Sequence, residues 1–435
     1  MRRILIRGNK PLNGEVQLSG AKNASLPILI ATLLVDGEST LFNIPNLLDV
    51  SLLIELLNHL GVSITLNNDT VGDRVFTVNA EKVLRTDAPR EIVSKFRASF
   101  WVLGPLLTRY GKCKVAMPGG CAIGARPVDI YIDTMKQMGA TIEETEEYII
   151  ATAPKGGLKG TDITLRLPSV GATHNLIMAA TLANGTTIIR NAAKEPEVVD
   201  LANFLISTGA KIKGAGTDTI TIEGVKRLKG TKYKVICDRI EAFSYITAAA
   251  ITKGDLIIKG LNFDYALQYP IKVLKDMGVE ITMLASDKIR VNAKKEVLKP
   301  INLRTDFFPG FPTDCQPIIM PLLACVDGTS IINETIYENR FKHAQELNKL
   351  GADITITTNA ERHNVATIKG KSGSLHGGEV LATDLRAGMC LVLAGLAGDG
   401  ETYVGNINYI ERGYENLLNK LTACGADISI VGADD

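Results

Sequence analysis

Several things are missing from this chain, and each absence closes off a class of function. Its seven cysteines (113, 121, 237, 315, 325, 390 and 424) are odd in number and never spaced C-x-x-C, which argues against a zinc site and a disulfide framework and for a reducing compartment. Its five histidines are dispersed with no H-x-x-x-H, so no structural metal and no cofactor is expected. No long apolar run exists. The longest, Leu26 to Val35, is about half of what a spanning helix needs. The basic start, Met1-Arg-Arg-Ile-Leu-Ile-Arg, has no apolar h-region behind it, so no signal peptide is expected. A net charge of +1 over 435 residues gives no field that would draw in nucleic acid or a membrane surface. These readings together imply a cytoplasmic protein of two or more domains. They leave its oligomeric state open, with a monomer plausible.

What the chain does contain is repetition. Six segments each hold a Gly-led strand, a loop, an amphipathic helix, and then Gly-Ala or Gly-Val opening another strand. The glycines closing the helices are 61, 139, 209, 278, 351 and 425, spaced 69 to 78 residues apart. In the first copy Val50, Leu53, Leu56, Leu57 and Leu60 follow helical periodicity. A second, apolar helix such as Ala172 to Ala183 lies between copies. Strands alternating with helices imply α/β layers with parallel pairing inside each unit. A period near 70 is too long for a common solenoid, so six copies should close into two three-repeat domains. The expected boundaries put residues 22–235 in one domain and 1–21 with 236–435 in the other. The first strand pair, Arg3 to Leu18, would then complete the C-terminal domain.

The unusual residues fall on the loops that open helices, where function concentrates. Most other charged residues read as solvated helix faces. Lys22 and Asn23, in Ser19-Gly-Ala-Lys-Asn, stand at a helix entrance, where a cation opposes the dipole but helps hold an anion. A plain surface lysine is the competing reading. Arg386 starts a nearly all-apolar helix, so it should be partly buried, with Asp384 or an anionic ligand offsetting its charge. Arg340 and Arg412 occupy equivalent loops of the last two repeats, so three arginines should converge on one cleft. The segment Met117-Pro-Gly-Gly-Cys-Ala-Ile-Gly-Ala-Arg-Pro127 has the composition of a mobile lid. Cys121 at its tip, near Arg126, points to a reactive thiol, against the commoner structural cysteine. Asp314 sits just ahead of an apolar helix and reads equally as an N-cap or as a general base.

Taken together, S-G-A-K-N, F-R-A-S-F-W, P-G-G-C-A-I-G-A-R-P-V-D, P-S-V-G-A-T, R-N-A-A-K-E-P-E, F-P-T-D, E-N-R-F, T-D-L-R-A and E-R-G-Y-E closely resemble the UDP-N-acetylglucosamine 1-carboxyvinyltransferase family. The resemblance runs from about residue 3 to 425. It implies a two-domain inside-out α/β barrel and the first committed step of peptidoglycan synthesis, the step that fosfomycin targets and that serves cell-wall growth and division. In that step the carboxyvinyl group of phosphoenolpyruvate passes to the 3-hydroxyl of UDP-N-acetylglucosamine and phosphate is released. Carried over position by position, Lys22, Asn23, Arg126, Arg340, Arg386 and Arg412 resemble the grip on phosphoenolpyruvate. Asn23, Arg97, Arg126, Pro127, Val128, Asp129, Ile130, Leu167, Pro168, Ser169, Val170, Gly171, Asp314 and Ile336 resemble the nucleotide-sugar pocket. Cys121 resembles the proton donor that also forms a covalent adduct, and Asp314 the base, with Lys22 and Arg412 also in catalytic roles.

The residue types suit such chemistry. Two polyanionic substrates need fixed cations, and Arg makes bidentate contacts with carboxylate and phosphate. An addition–elimination needs an acid, a base and charge stabilisation. Without ligand, the cations of the two domains are expected to repel and hold the cleft open. Three positions depart from the family pattern. Tyr131 stands where His is frequent, Leu167 where some members place Lys, and Phe243-Ser244 where Gly-Thr is usual, with Phe243 expected near the domain hinge. These departures leave two alternatives open: a divergent paralogue that binds nucleotide sugar with weak or regulatory activity, or transfer to another acceptor.

Overall fold

The computed structural model describes residues 2–68, 74–118, 128–294 and 297–432. Its described residues form two compact units. One holds the residues from Gly20 to Cys237; the other holds those up to Ser19 and from Asp238 onward. The boundaries expected from the repeats lie two residues inside these at each end.

Each unit contains three four-stranded sheets with the same order. In the fifth repeat, Asn302–Arg304 pairs in parallel with Gly328–Glu334. That strand pairs antiparallel with Asn364–Gly370, which in turn pairs antiparallel with Ile354–Thr358. The two strands joined by the outer helix His343–Lys349 therefore run in the same direction, as the βαβ pattern implies, but do not pair. The expected parallel pairing is found instead between the strands joined by the apolar helix Gln316–Ala324. A short connection after Ile354–Thr358 can only return the chain antiparallel, and the returning strand fills the gap between its two predecessors. In the sixth repeat that place is taken by the N-terminal strand Arg3–Arg7, which lies between Asp399–Gly405 and Asp427–Val431.

The sheets surround helices rather than the reverse. In the 238–435 unit every residue of Arg239–Ile251 and Gln316–Ala324 is buried, as is Leu385–Ala397 from Arg386 to Leu396, and the three pack on one another. Lys22–Ala31, Leu103–Tyr110 and Val170–Thr181 are the inner helices of the other unit. There Gly104 lets two of them touch: a Cβ would sit 2.7 Å from the Asn175 carbonyl oxygen, while the Gly104 N–H donates to Asn175 Oδ1 at 2.8 Å. This arrangement is the inside-out α/β barrel, with apolar helices inside and half-exposed sheets outside.

All six repeat glycines have φ between 94° and 108°. Each ends an outer helix in the left-handed conformation that only glycine adopts without strain, which is why the motif recurs. Among the described residues no helix is long and apolar enough to cross a membrane.

Candidate active site

In the 238–435 unit the loops that open the inner helices carry acidic residues with divergent roles. Asp238 caps its helix by accepting from Ile240 N at 2.8 Å and Glu241 N at 3.1 Å. Asp384 does the same for Arg386 N at 2.9 Å and Ala387 N at 3.1 Å. Asp314 lies on the short turn Thr313–Cys315, and neither that turn nor the helix after it has a side-chain cap. Its carboxylate instead accepts from Arg340 Nη2 at 2.8 Å through Oδ1 and from Arg386 Nε at 3.2 Å through Oδ2. The N-cap alternative is thereby excluded. The offset to Arg386 comes from Asp314, 72 residues away in sequence, rather than from Asp384, whose carboxylate is engaged with backbone amides.

The exposures show which group faces outward. The Arg340 and Arg386 side chains are 2% and 3% exposed, while that of Asp314 is 29% exposed. Two buried guanidiniums thus present one accessible carboxylate. Arg340 Nε also donates to the Thr313 carbonyl at 3.3 Å, tying its loop to the Asp314 turn. Buried Glu334, its carboxyl pushed up by desolvation, accepts from Thr313 Oγ1 and from the backbone of Ile336 and Tyr337. That places Ile336 on the same loop assembly. Arg412 is half-buried at the C-terminal end of Asn408–Glu411, a helix that packs on the one Arg386 opens.

In the 20–237 unit Lys22 opens its helix, but not as a plain surface lysine. Its ammonium pairs with Asp49 at 2.7 Å, and the two side chains are 12% and 4% exposed. Asp49 lies in the first turn of Leu48–Leu60, so one carboxylate serves that helix dipole and the lysine together. Half-buried Asn23 follows Lys22, and half-buried Arg97 begins the turn Arg97–Val102. Lys22, Arg340 and Arg386 each meet a carboxylate of their own unit.

Of the candidate nucleotide-sugar residues, Val128, Asp129, Ile130 and Leu167 to Gly171 fall into one assembly of this unit. Asp129, opening Asp129–Gln137 after Val128 and before buried Ile130, receives two hydrogen bonds from Arg166; these hold its carboxyl below the usual range. Arg166 precedes the loop Leu167-Pro168-Ser169, where Ser169 caps Val170–Thr181. Leu167 is 38% exposed. Gly171 closes the assembly: a Cβ there would lie 2.0 Å from Tyr131 Oη and 2.8 Å from Trp101 Nε1, and Trp101 donates to that hydroxyl at 3.2 Å. Sequence reasoning missed Asp49, Arg166 and Trp101. Asp49 was legible as a carboxylate in a helix-opening loop, whereas the other two acquire partners only on folding.

Cys121, Arg126 and Pro127 lie outside the described residues. The other six cysteines are thiols, five buried and Cys325 half-buried. Burial pushes up the thiols of Cys113, Cys315, Cys390 and Cys424, and that of Cys325 to about 12. Phe243, in the helix Arg239–Ile251 that follows the unit boundary, is fully buried, with its ring edge-on to Phe311 at 5.7 Å.

The chain is 49% identical over 431 residues to a protein from Allorhizobium ampelinum, covering 98% of both chains. It is also 49% identical to one from Sinorhizobium fredii, covering 99% of this chain and 100% of that one. Both are named UDP-N-acetylglucosamine 1-carboxyvinyltransferase. Among solved structures, the enolpyruvyl transferase NikO from Streptomyces tendae matches with a TM-score of 0.87 at 26% identity, covering 100% and 99% of the two chains. An EPSP synthase from Acinetobacter baumannii shares the fold, with a TM-score of 0.74 at 21% identity over 99% and 100%. The family model described as EPSP synthase (3-phosphoshikimate 1-carboxyvinyltransferase) matches residues 6–421, and with a fold and relatives that agree over the whole chain, this protein belongs to that family of enolpyruvyl transferases.

Proposed function

We propose that this chain transfers the carboxyvinyl group of phosphoenolpyruvate to the 3-hydroxyl of UDP-N-acetylglucosamine, releasing phosphate. The observation that carries this reading is the accessible Asp314 carboxylate, held between the buried guanidiniums of Arg340 and Arg386. Such a carboxylate accepts a hydroxyl proton, and the arginines beside it are suited to an anionic co-substrate. Each oxygen is held by an arginine, while a carboxylate has about four lone-pair sites and the 29% exposed side chain is within reach of a substrate hydroxyl.

In the proposed reaction the phosphoenolpyruvate methylene carbon takes a proton, assigned to the Cys121 thiol. The sugar 3-oxygen bonds to the adjacent carbon as Asp314 removes its proton. The tetrahedral intermediate then loses a methyl proton and expels phosphate, restoring the vinyl ether. Lys22, Arg340, Arg386 and Arg412, with Asn23 and Arg126, are assigned to the phosphoenolpyruvate anion. Arg97, Pro127 and the assembly of Val128, Asp129, Ile130 and Leu167 through Gly171 are assigned to the nucleotide sugar, together with Ile336. The same proposal puts the reaction in the cytoplasm, at the start of peptidoglycan synthesis. Phosphate release from phosphoenolpyruvate, measured with and without UDP-N-acetylglucosamine, is the test. Release that depends on the sugar nucleotide is the expected result, and release only with a different hydroxylated acceptor overturns the assignment.

A further inference from the structure

Arg386 must hold one orientation to meet Asp314, although an arginine side chain has several soft torsions to restrain. Beside it lies Tyr414, which is 4% exposed, with Arg386 Cζ 5.6 Å from the ring centroid. The phenol oxygen is 2.9 Å from Ser244 Oγ, 170 residues away in sequence, and Ser244 Oγ is 2.8 Å from the Ile240 carbonyl. A serine hydroxyl has one proton, and a carbonyl only accepts. Ser244 therefore donates to Ile240, and Tyr414 donates to Ser244. The phenol oxygen is left with lone pairs alone to offer the Arg386 guanidinium. Burial pushes the phenol up to about 12 while Arg386 and Ser244 pull it down, so it remains protonated near neutral pH. The result is an ordered pair of hydrogen bonds, from the Tyr414 phenol through Ser244 to the Ile240 carbonyl, each polarising the next, which fixes the phenol ring against the Arg386 guanidinium.

We propose that Tyr414 and Ser244 are positioning residues that fix the Arg386 guanidinium against Asp314, and so set the orientation of the carboxylate during carboxyvinyl transfer. The kinetic consequence rests on the function proposed above; the restraint on Arg386 does not. Tyr414→Phe keeps the ring and removes the hydroxyl, while Ser244→Ala removes the acceptor and Ser244→Thr retains it.

For Tyr414→Phe and for Ser244→Ala the expected loss in kcat is about tenfold, that of one misplaced polar contact. The KM for UDP-N-acetylglucosamine should stay within about twofold. Ser244→Thr should keep the parent rate, and the double variant should lose no more than Tyr414→Phe alone. A second readout needs no turnover: the Nε–H resonance of Arg386, assigned through Arg386→Lys, should be protected from exchange in the parent and lose that protection in Tyr414→Phe. If Tyr414→Phe changes neither kcat nor that resonance, the proposal is overturned. It is equally overturned if the rate loss follows a fall in Tm and Ser244→Thr fails to restore it. Should the parent release no phosphate from the two substrates, the functional reading fails and the Arg386 resonance alone decides the positioning role.

Discussion

Replacing Asp314 by Ala separates what the carboxylate does for the fold from what it does for the reaction. The substitution leaves the Arg340 and Arg386 guanidiniums, both under 4% exposed, without their shared counter-charge. Asp384 stays 3.9 Å from Arg340 Nη1, but it is already occupied as a helix cap. Breaking a buried pair costs about 3–5 kcal/mol, and because Asp314 is 29% exposed the lower end applies, about 3 kcal/mol. For a unit of this size that corresponds to a fall in Tm of roughly 6–12 °C. An N-cap would cost only about 1 kcal/mol. Asp314→Ala should therefore melt well below the parent, and added inorganic phosphate should recover more of the loss than it adds to the parent, since an anion can replace the missing charge. Turnover should vanish while nucleotide-sugar binding, measured calorimetrically, stays within roughly tenfold. A variant that melts within 1 °C of the parent would refute the electrostatic reasoning. One that keeps its rate would refute the role as base.

Three further outcomes are expected. Among the seven thiols Cys121 should react fastest with an alkylating agent, because burial disfavours the thiolate of five others and Cys237 is itself buried; peptide mapping after brief labelling that finds another site first would overturn this. Gly171→Ala should lower both Tm and nucleotide-sugar affinity, because its Cβ would meet Tyr131 Oη at 2.0 Å, and adding Tyr131→Phe should recover part of both; melting and titration of the single and double variants check it. Glu241 is buried, accepts from Lys420 Nζ at 2.6 Å and Ser19 N at 2.8 Å, and its carboxyl is raised by desolvation from 4.5 to about 7. The folded state then binds more protons than the unfolded state between those values. This contribution to stability is full below pH 4.5 and declines as pH rises towards 7. Denaturant titrations of parent and Glu241→Gln across that range should differ in slope.

Periodicity was legible in the sequence because it is local: the six glycines mark left-handed helix ends that any fold of these segments must provide for. Buried inner helices were legible in part, since a run such as Gln316–Ala324 has no polar face to leave in water. The residue types at the helix-opening loops also stood out. What the linear text does not contain is partnership across long separations. The repeat count implied that the N-terminal strand pair completes the C-terminal unit, but only folding puts Arg3–Arg7 between two strands of the sixth sheet and Asn13–Gln17 in another sheet. Asp314 reads equally well as a cap or a base until folding brings Arg340 and Arg386 to its two oxygens. Lys22 looks like a surface lysine until Asp49 is set beside it, and nothing near Phe243 in the sequence names Phe311 as the ring it packs against. Sequence alone determines which segments form helices and strands and which loops hold unusual charge. Burial and long-range pairing decide which of those charges are offset and which carboxylate remains accessible, because a charge taken out of water must find its partner in three dimensions.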